Sequence, residues 1–143
     1  MTVATKKKPK SIQKLKDEVW TIFSEYIRKR DCLRTTGGLE WGRCITCGLP
    51  FKYAELQAGH FIPGRHNSIL FEETCVHAQC YRCNVPMGGE PLKYRREIIK
   101  LYGEDYDLKL EEQAMETRKF SREELEGMKA HYRQKIKELK EFQ

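Results

Sequence analysis

No run of apolar residues in this sequence approaches the roughly 20 that a bilayer-spanning helix requires, which excludes a helical membrane span among these residues. Nor does an apolar stretch follow the lysine-rich opening MTVATKKKPK, so that opening does not read as a secretory signal. There is no internal repeat, which sets aside solenoids and propellers. These absences point to a cytoplasmic chain, in which six cysteines read as metal ligands or free thiols rather than disulfides. Apolar material is limited as well. With 143 residues and 39% hydrophobic content, the chain makes one small domain whose core would benefit from a metal staple.

Charge is plentiful but unevenly placed. The formal net charge is +6, yet residues 1–103 carry 18 Lys/Arg against 10 Asp/Glu, whereas residues 104–143 carry 9 against 11. The basic part also holds every cysteine and three of the four histidines. That balance suits a polyanionic partner such as DNA, although solubility alone would explain surface charge equally well.

Residues 1–10 read as a basic flexible arm, because they are lysine-rich and lack core-forming side chains. Ser11 is a plausible N-cap for a helix in which Ile12, Leu15, Val19, Ile22, Phe23 and Tyr26 form one apolar stripe as far as Arg30. From Cys32 to Phe71, glycines and prolines punctuate the chain and favour short strands and loops. Gln57–Ile62 reads as one strand, Ile69–Phe71 as its antiparallel partner, and Val76–Val85 as a helix. Pro91 opens a further helix that Gly103 stops, and Asp107–Thr117 reads as another. Ser121-Arg-Glu-Glu124 is a capping-box pattern before a final helix, whose stripe is Leu125, Met128, Tyr132, Ile136 and Leu139. That stripe can pack on the domain or on a second subunit.

Cys44-x2-Cys47 and Cys80-x2-Cys83 are two knuckle-like pairs with 32 residues between the inner cysteines. Each pair turns two thiolates toward one point, and two pairs complete a tetrahedron around structural Zn²⁺. Gly48 helps the first turn bend back. A compact local set of Cys75, His77, Cys80 and Cys83 is the alternative, but it would orphan Cys44 and Cys47. Cys32 reads as a small buried filler.

Further residues surround these pairs at fixed offsets: Ala58-Gly59-His60-Phe61, then His77-Ala-Gln79-Cys80-Tyr-Arg-Cys83-Asn84, then Tyr94 and Leu101-Tyr102-Gly103. Over about residues 41–103 this pattern resembles the HNH or ββα-metal nuclease finger. Within that superfamily it resembles the phage recombination proteins called NinG (Rap), and more distantly endonuclease VII. The resemblance implies an α+β fold: a zinc-stapled ββα-metal finger flanked by an N-terminal helix and C-terminal helices. Together with the elements read above, it divides the chain into an arm at 1–10, a nuclease domain at 11–103, and a helical extension at 104–143 that could support a homodimer. It also implies cleavage of branched DNA, including four-way junctions, within a bacterial host cell.

The chemistry of the residues agrees with that implication. His60 is the expected catalytic base, since neutral imidazole can take a proton from water at physiological pH. Asn84, fixed by the neighbouring Cys83, is expected to bind catalytic Mg²⁺ or Mn²⁺ through its amide oxygen. Other fingers of the superfamily carry a metal ligand just before the base. That position here is Gly59, so Gln57 and His77 stand as candidates for the second ligand. The middle Asn of the pattern is replaced by Cys75, which leaves the bracing of His60 to Asn67 or the backbone. Arg65, Arg82, Arg95 and Arg96 are expected to grip DNA phosphates. Two rival readings are a non-catalytic zinc-finger DNA-binding protein and an adaptor acting through its C-terminal helices.

Overall fold

The structure, a computed structural model, describes residues 8–142, so most of the arm expected at 1–10 lies outside the described residues. The first helix, α1 (Ile12–Thr36), starts where Ser11 accepts the backbone N–H of Lys14 at 3.1 Å. Its stripe of Leu15, Val19, Phe23, Tyr26 and Ile27 is buried. The helix continues past the expected end at Arg30, and the added turn carries Asp31, which is buried among polar partners. Its Oδ2 accepts the backbone N–H of Ala78 at 2.7 Å, while Arg30 donates to the carbonyls of Glu73 and Val76 at 2.8 Å each. Burial raises the Asp31 pKa, but Arg30, with smaller contributions from His77 and Arg34, offsets this and holds the carboxylate below its usual range. Gly37, at φ 82°, ends the helix in the left-handed region.

The last helix, α6 (Arg122–Glu141), begins with the expected capping box. Glu124 N–H donates to Ser121 Oγ at 3.1 Å, and Ser121 N–H donates to Glu124 Oε2 at 3.0 Å. Leu125, Tyr132 and Ile136 of α6 are buried against α1. Phe23 meets Tyr132 edge-on, with ring centroids 5.0 Å apart. One hydrophobic core therefore runs from Leu15 to Ile136. Of the two uses open to the apolar stripe of α6, packing on the domain or on a second subunit, the structure shows the first.

Between these helices in chain order come two small antiparallel sheets. Strand β1 (Trp41–Arg43) pairs with β2 (Pro50–Lys52), and β3 (Leu56–His60) pairs with β4 (Val76–Cys80) in the register Leu56↔Cys80 to His60↔Val76. A short helix, α2 (Asn67–Leu70), sits in the β3–β4 connection, and one helical turn, α3 (Tyr81–Asn84), follows β4 directly. Helices α4 (Pro91–Tyr102) and α5 (Tyr106–Ala114) lead to α6. The result is a mixed α+β protein. No described helix is long and apolar enough to cross a membrane.

Two element assignments change. The partner of β3 is Val76–Cys80 rather than Ile69–Phe71, and the helix expected over Val76–Val85 is that strand followed by one turn. All five residues of β4 are buried. A strand covered on both faces shows no polar alternation, so by pattern it cannot be told from a buried helical segment.

Candidate metal centre and adjoining cleft

Strands β1 and β2 carry the first cysteine knuckle. Cys44 N–H donates to Leu49 O at 3.0 Å, and Gly48, at φ 74°, donates to Cys44 O at 2.9 Å. Ile45 N–H donates to Ala78 O at 2.9 Å, which ties the knuckle to β4. Cys80 ends β4 and Cys83 lies one turn further, in α3. The ligand atoms of Cys44, Cys47, Cys80 and Cys83 all lie within 4.8 Å of one another, and Cys47 Sγ and Cys80 Sγ are 4.0 Å apart. A tetrahedron with Zn–S bonds of about 2.3 Å has edges of about 3.8 Å, so the group has the size and the thiolate chemistry to hold a metal such as zinc.

Burial opposes ionisation of Cys44, yet the backbone N–H of Cys47, the Thr46 hydroxyl and the Cys80 backbone bring its pKa down to about 7. Cys32 and Cys75 are buried elsewhere, and burial pushes each up to about 11, so both stay protonated. Among the described residues the alternative set of Cys75, His77, Cys80 and Cys83 does not form.

Beside this centre opens a cleft of about 450 Å³ whose lining includes Trp20, Arg28, Gln57, His60, Arg65 and Asn84. His60 occupies the last position of β3, and its Nε2 lies 3.2 Å from the carbonyl oxygen of Leu70 in α2. A carbonyl only accepts, so Nε2 carries the proton and Nδ1 keeps its lone pair. Among the described residues no hydrogen bond engages Nδ1. The imidazole also stacks on Trp20, with centroids 5.0 Å apart and planes 15° apart. Burial lowers the His60 pKa and the bond to Leu70 raises it, while Arg65 lowers it further. The net direction is downward, which leaves the ring neutral at pH 7. The brace left open between Asn67 and the backbone is thus the Leu70 carbonyl; Asn67 donates instead to Arg118 O at 3.0 Å.

Asn84 ends α3, one residue after Cys83, so the cysteine centre fixes its place. Its Nδ2 donates to Gln57 Oε1 at 2.8 Å, leaving Oδ1 as an acceptor. Gln79 on β4 is fully buried; its Nε2 donates to Thr46 Oγ1 at 3.1 Å and to Gly89 O at 2.9 Å. Those bonds settle the orientation of the amide. Gln79 Oε1 has no hydrogen-bond partner among the described residues, a condition that costs about 1–3 kcal/mol when nothing else satisfies the atom. A methyl carbon added to Gly59 would lie 2.1 Å from Gln79 Oε1 and 3.0 Å from Asn84 Oδ1. Glycine is required at 59 because an amide oxygen already fills the side-chain space.

His77 does not reach the cleft. It is fully buried on β4, and its ring nitrogens lie 3.1 Å from the Tyr94 hydroxyl and 2.7 Å from the Tyr102 hydroxyl. Burial pushes its pKa down to about 3. With both nitrogens occupied, it is a polar core residue and not the second metal ligand expected from the sequence. Arg95 is likewise committed, to Asp107 and Glu111, which removes it from the expected phosphate-gripping set.

Arg82 and Arg96 are exposed, without salt bridges among the described residues. Arg65 lies with its guanidinium 4.9 Å from the centre of the Trp20 ring, on a backbone at φ 50°. A non-glycine residue in that region carries strain of about 1–3 kcal/mol, and such strain clusters at functional sites. Two residues of the cleft lining, Trp20 and Arg28, were missed in the sequence, and so was the part played by Gln79, which is buried beside the cleft. Trp20, Ser24 and Arg28 all line the cleft. Their spacing of four residues is a second helical face, visible in the sequence beside the apolar stripe. Gln79 left no such signal.

The family model described as "Bacteriophage Lambda NinG protein" matches residues 2–142. Among curated proteins, the chain is similar to Protein ninG of Escherichia phage 933W and of Escherichia phage lambda, 33% identical over 98 residues in each case. It is also similar to Protein ninG of Salmonella phage P22, 31% identical over 99 residues. Each match covers 68% of this chain and 47–48% of the relative, so the chain spans about half the length of the curated relatives it matches. No solved structure gives a significant match.

Proposed function

The chain belongs to the bacteriophage lambda NinG family, and on that premise we propose that it is a metal-dependent endonuclease acting on branched DNA, with four-way junctions as the expected substrate. In this reading β3, β4 and α3 are the strand–strand–helix of a ββα-metal (HNH) finger, and zinc on the four cysteines is its structural staple. One observation carries the reading: His60 is held from Nε2 by Leu70, neutral by its surroundings, and placed in a cleft with Asn84 and two arginines.

His60 Nδ1 takes a proton from water as the water oxygen bonds to phosphorus and the bond to the 3′ oxygen breaks; that oxygen takes a proton from solvent, leaving 5′-phosphate and 3′-hydroxyl ends. Leu70 and Trp20 hold the ring so that only Nδ1 is free to act. Asn84 Oδ1 would hold Mg²⁺ or Mn²⁺, which when bound supplies Lewis-acid stabilisation of charge on the phosphate and leaving oxygen. Arg28 and Arg65, together with the exposed Arg82 and Arg96, offer guanidinium groups to the DNA backbone. Two symmetric cuts would call for a homodimer, and its contact would lie outside the buried face of α6.

The test is cleavage of a labelled four-way junction, a flap and plain duplex side by side with Mn²⁺ or Mg²⁺, using the zinc-loaded protein. Cutting of the branched substrates ahead of duplex is expected. Salt-sensitive binding without cutting would identify a zinc-finger DNA-binding protein, and no binding would favour an adaptor.

A further inference from the structure

We infer that Gln79, reaching from β4 into the space left open by Gly59, supplies a metal-ligand oxygen, so that a hard divalent cation is held between Gln79 Oε1 and Asn84 Oδ1 with DNA phosphate as a necessary further ligand. The inference rests on the nuclease reading of the cleft and assigns the ligand that reading lacks.

Three independent contacts fix the geometry. The Gln79 amide nitrogen is spent on Thr46 Oγ1 and Gly89 O, so Oε1 cannot turn away. The Asn84 amide nitrogen is spent on Gln57 Oε1, so Asn84 Oδ1 is likewise set. Both oxygens flank the side-chain position of Gly59, 2.1 Å and 3.0 Å from a methyl carbon placed there. Gln79 is fully buried beside the cleft and its Oε1 has no protein partner among the described residues, a condition that a bound cation or an ordered water relieves. Gln57 is a positioning residue here, acting through Asn84.

The charge of the site sets how it fills. Among the described residues no Asp or Glu lines the cleft, whereas Arg28 and Arg65 do. Neutral amide oxygens suit Mg²⁺ or Mn²⁺ by type but offer no net charge against two guanidinium groups. Phosphate oxygens of bound DNA would neutralise the arginines and complete the coordination, so cation and DNA bind cooperatively.

Mn²⁺ binding should be counted by electron paramagnetic resonance on the zinc-loaded full chain carrying His60→Ala, which slows cleavage enough for the DNA to stay intact during the measurement, with and without a four-way junction. DNA should tighten Mn²⁺ binding by tenfold or more. Gln79→Ala in that background should weaken DNA-dependent Mn²⁺ binding at least tenfold. Adding Gly59→Asp to Gln79→Ala, which returns an oxygen to the same space from β3, should restore it. Thermal melting of each variant reports whether it is folded.

Unchanged Mn²⁺ affinity in a folded Gln79→Ala protein would overturn the inference, as would no Mn²⁺ binding in the His60→Ala parent or no recovery in the double variant. A merely structural Gln79 would lower the melting temperature and leave Mn²⁺ affinity intact. If Mn²⁺ binding follows the expected pattern but the unmodified protein cuts no DNA, the nuclease reading fails and the ligand assignment stands.

Discussion

Leu70 holds His60: the imidazole Nε2 donates to the Leu70 carbonyl at 3.2 Å, so the ring presents Nδ1 as its one available base. The contact joins the last residue of β3 to the end of α2, and it sets a tautomer without any side-chain partner. A backbone carbonyl cannot be removed by substitution, which makes the brace robust to sequence change at Cys75 and Asn67.

If Nδ1 is the general base, His60→Ala should lower the single-turnover cleavage rate by about 10² to 10⁴. DNA affinity and zinc content should hold, since the task of the residue lies in the transition state. The rate of the unmodified protein should rise with pH through a midpoint below 6.5 and be flat at neutral pH, because the His60 pKa is depressed mainly by burial. A folded His60→Ala protein that cuts at the original speed would refute the mechanism.

The two depressed histidines also link folding to pH. An imidazole whose folded pKa lies below its unfolded value of about 6.5 leaves the unfolded chain holding more protons under acid conditions. Stability should therefore be complete above pH 6.5 and decline as pH falls below it. His77, pushed down to about 3, should contribute up to about 1.4 kcal/mol per pH unit across that window. Denaturant melts at pH 7, 6 and 5 should show this decline, and His77→Gln should flatten it. Equal slopes in both proteins would contradict the burial argument.

Zinc removal should unfold the region around Asn84 rather than merely slow a reaction. Metal binding and folding are coupled in such sites, with roughly 10–16 kcal/mol at stake in zinc-finger peptides. Cys80 joins β4 to α3, so Cys80→Ser is expected to lower the melting temperature sharply. Elemental analysis finding no zinc in the native protein, or an unchanged melt for Cys80→Ser, would count against the staple.

Tyr132→Ala tests where the α6 stripe is used. Its ring packs against Phe23 and Tyr26 in the core, so truncation should cost about 3–5 kcal/mol, as for other large aromatics. The association state, measured by light scattering, should not respond to this change. Loss of a dimer with no loss of melting temperature would show instead that the stripe is an intersubunit contact.

Arg65→Gln and Arg95→Gln should behave oppositely. Arg65 is exposed at the cleft, so its loss should weaken DNA binding and reduce the salt slope by about one. Arg95 is paired with Asp107 and Glu111, and its loss should loosen the contact between α4 and α5 while leaving the salt slope unchanged. Salt titrations of junction binding, read beside melting curves, separate the two.

Features that depend on local spacing could be read from the amino-acid order. The Ser11 and Ser121 caps, the apolar stripes of α1 and α6, and the paired cysteines were legible because each is a short-range pattern with a physical cause. His60 and Asn84 were legible because they adjoin those patterns at fixed offsets. Tertiary structure alone decided what depends on cross-chain packing. It put Val76–Cys80 beside β3, where full burial had erased the alternation that marks a strand. It moved His77 from the cleft to the core, gave the α6 stripe to α1, and committed Arg95 to Asp107 and Glu111. It also brought Gln79 against Gly59, a contact across two strands that neither residue announces in sequence. Local periodicity fixes which face a residue takes on its own element, whereas the partner on that face is set only when distant segments compete for the same volume.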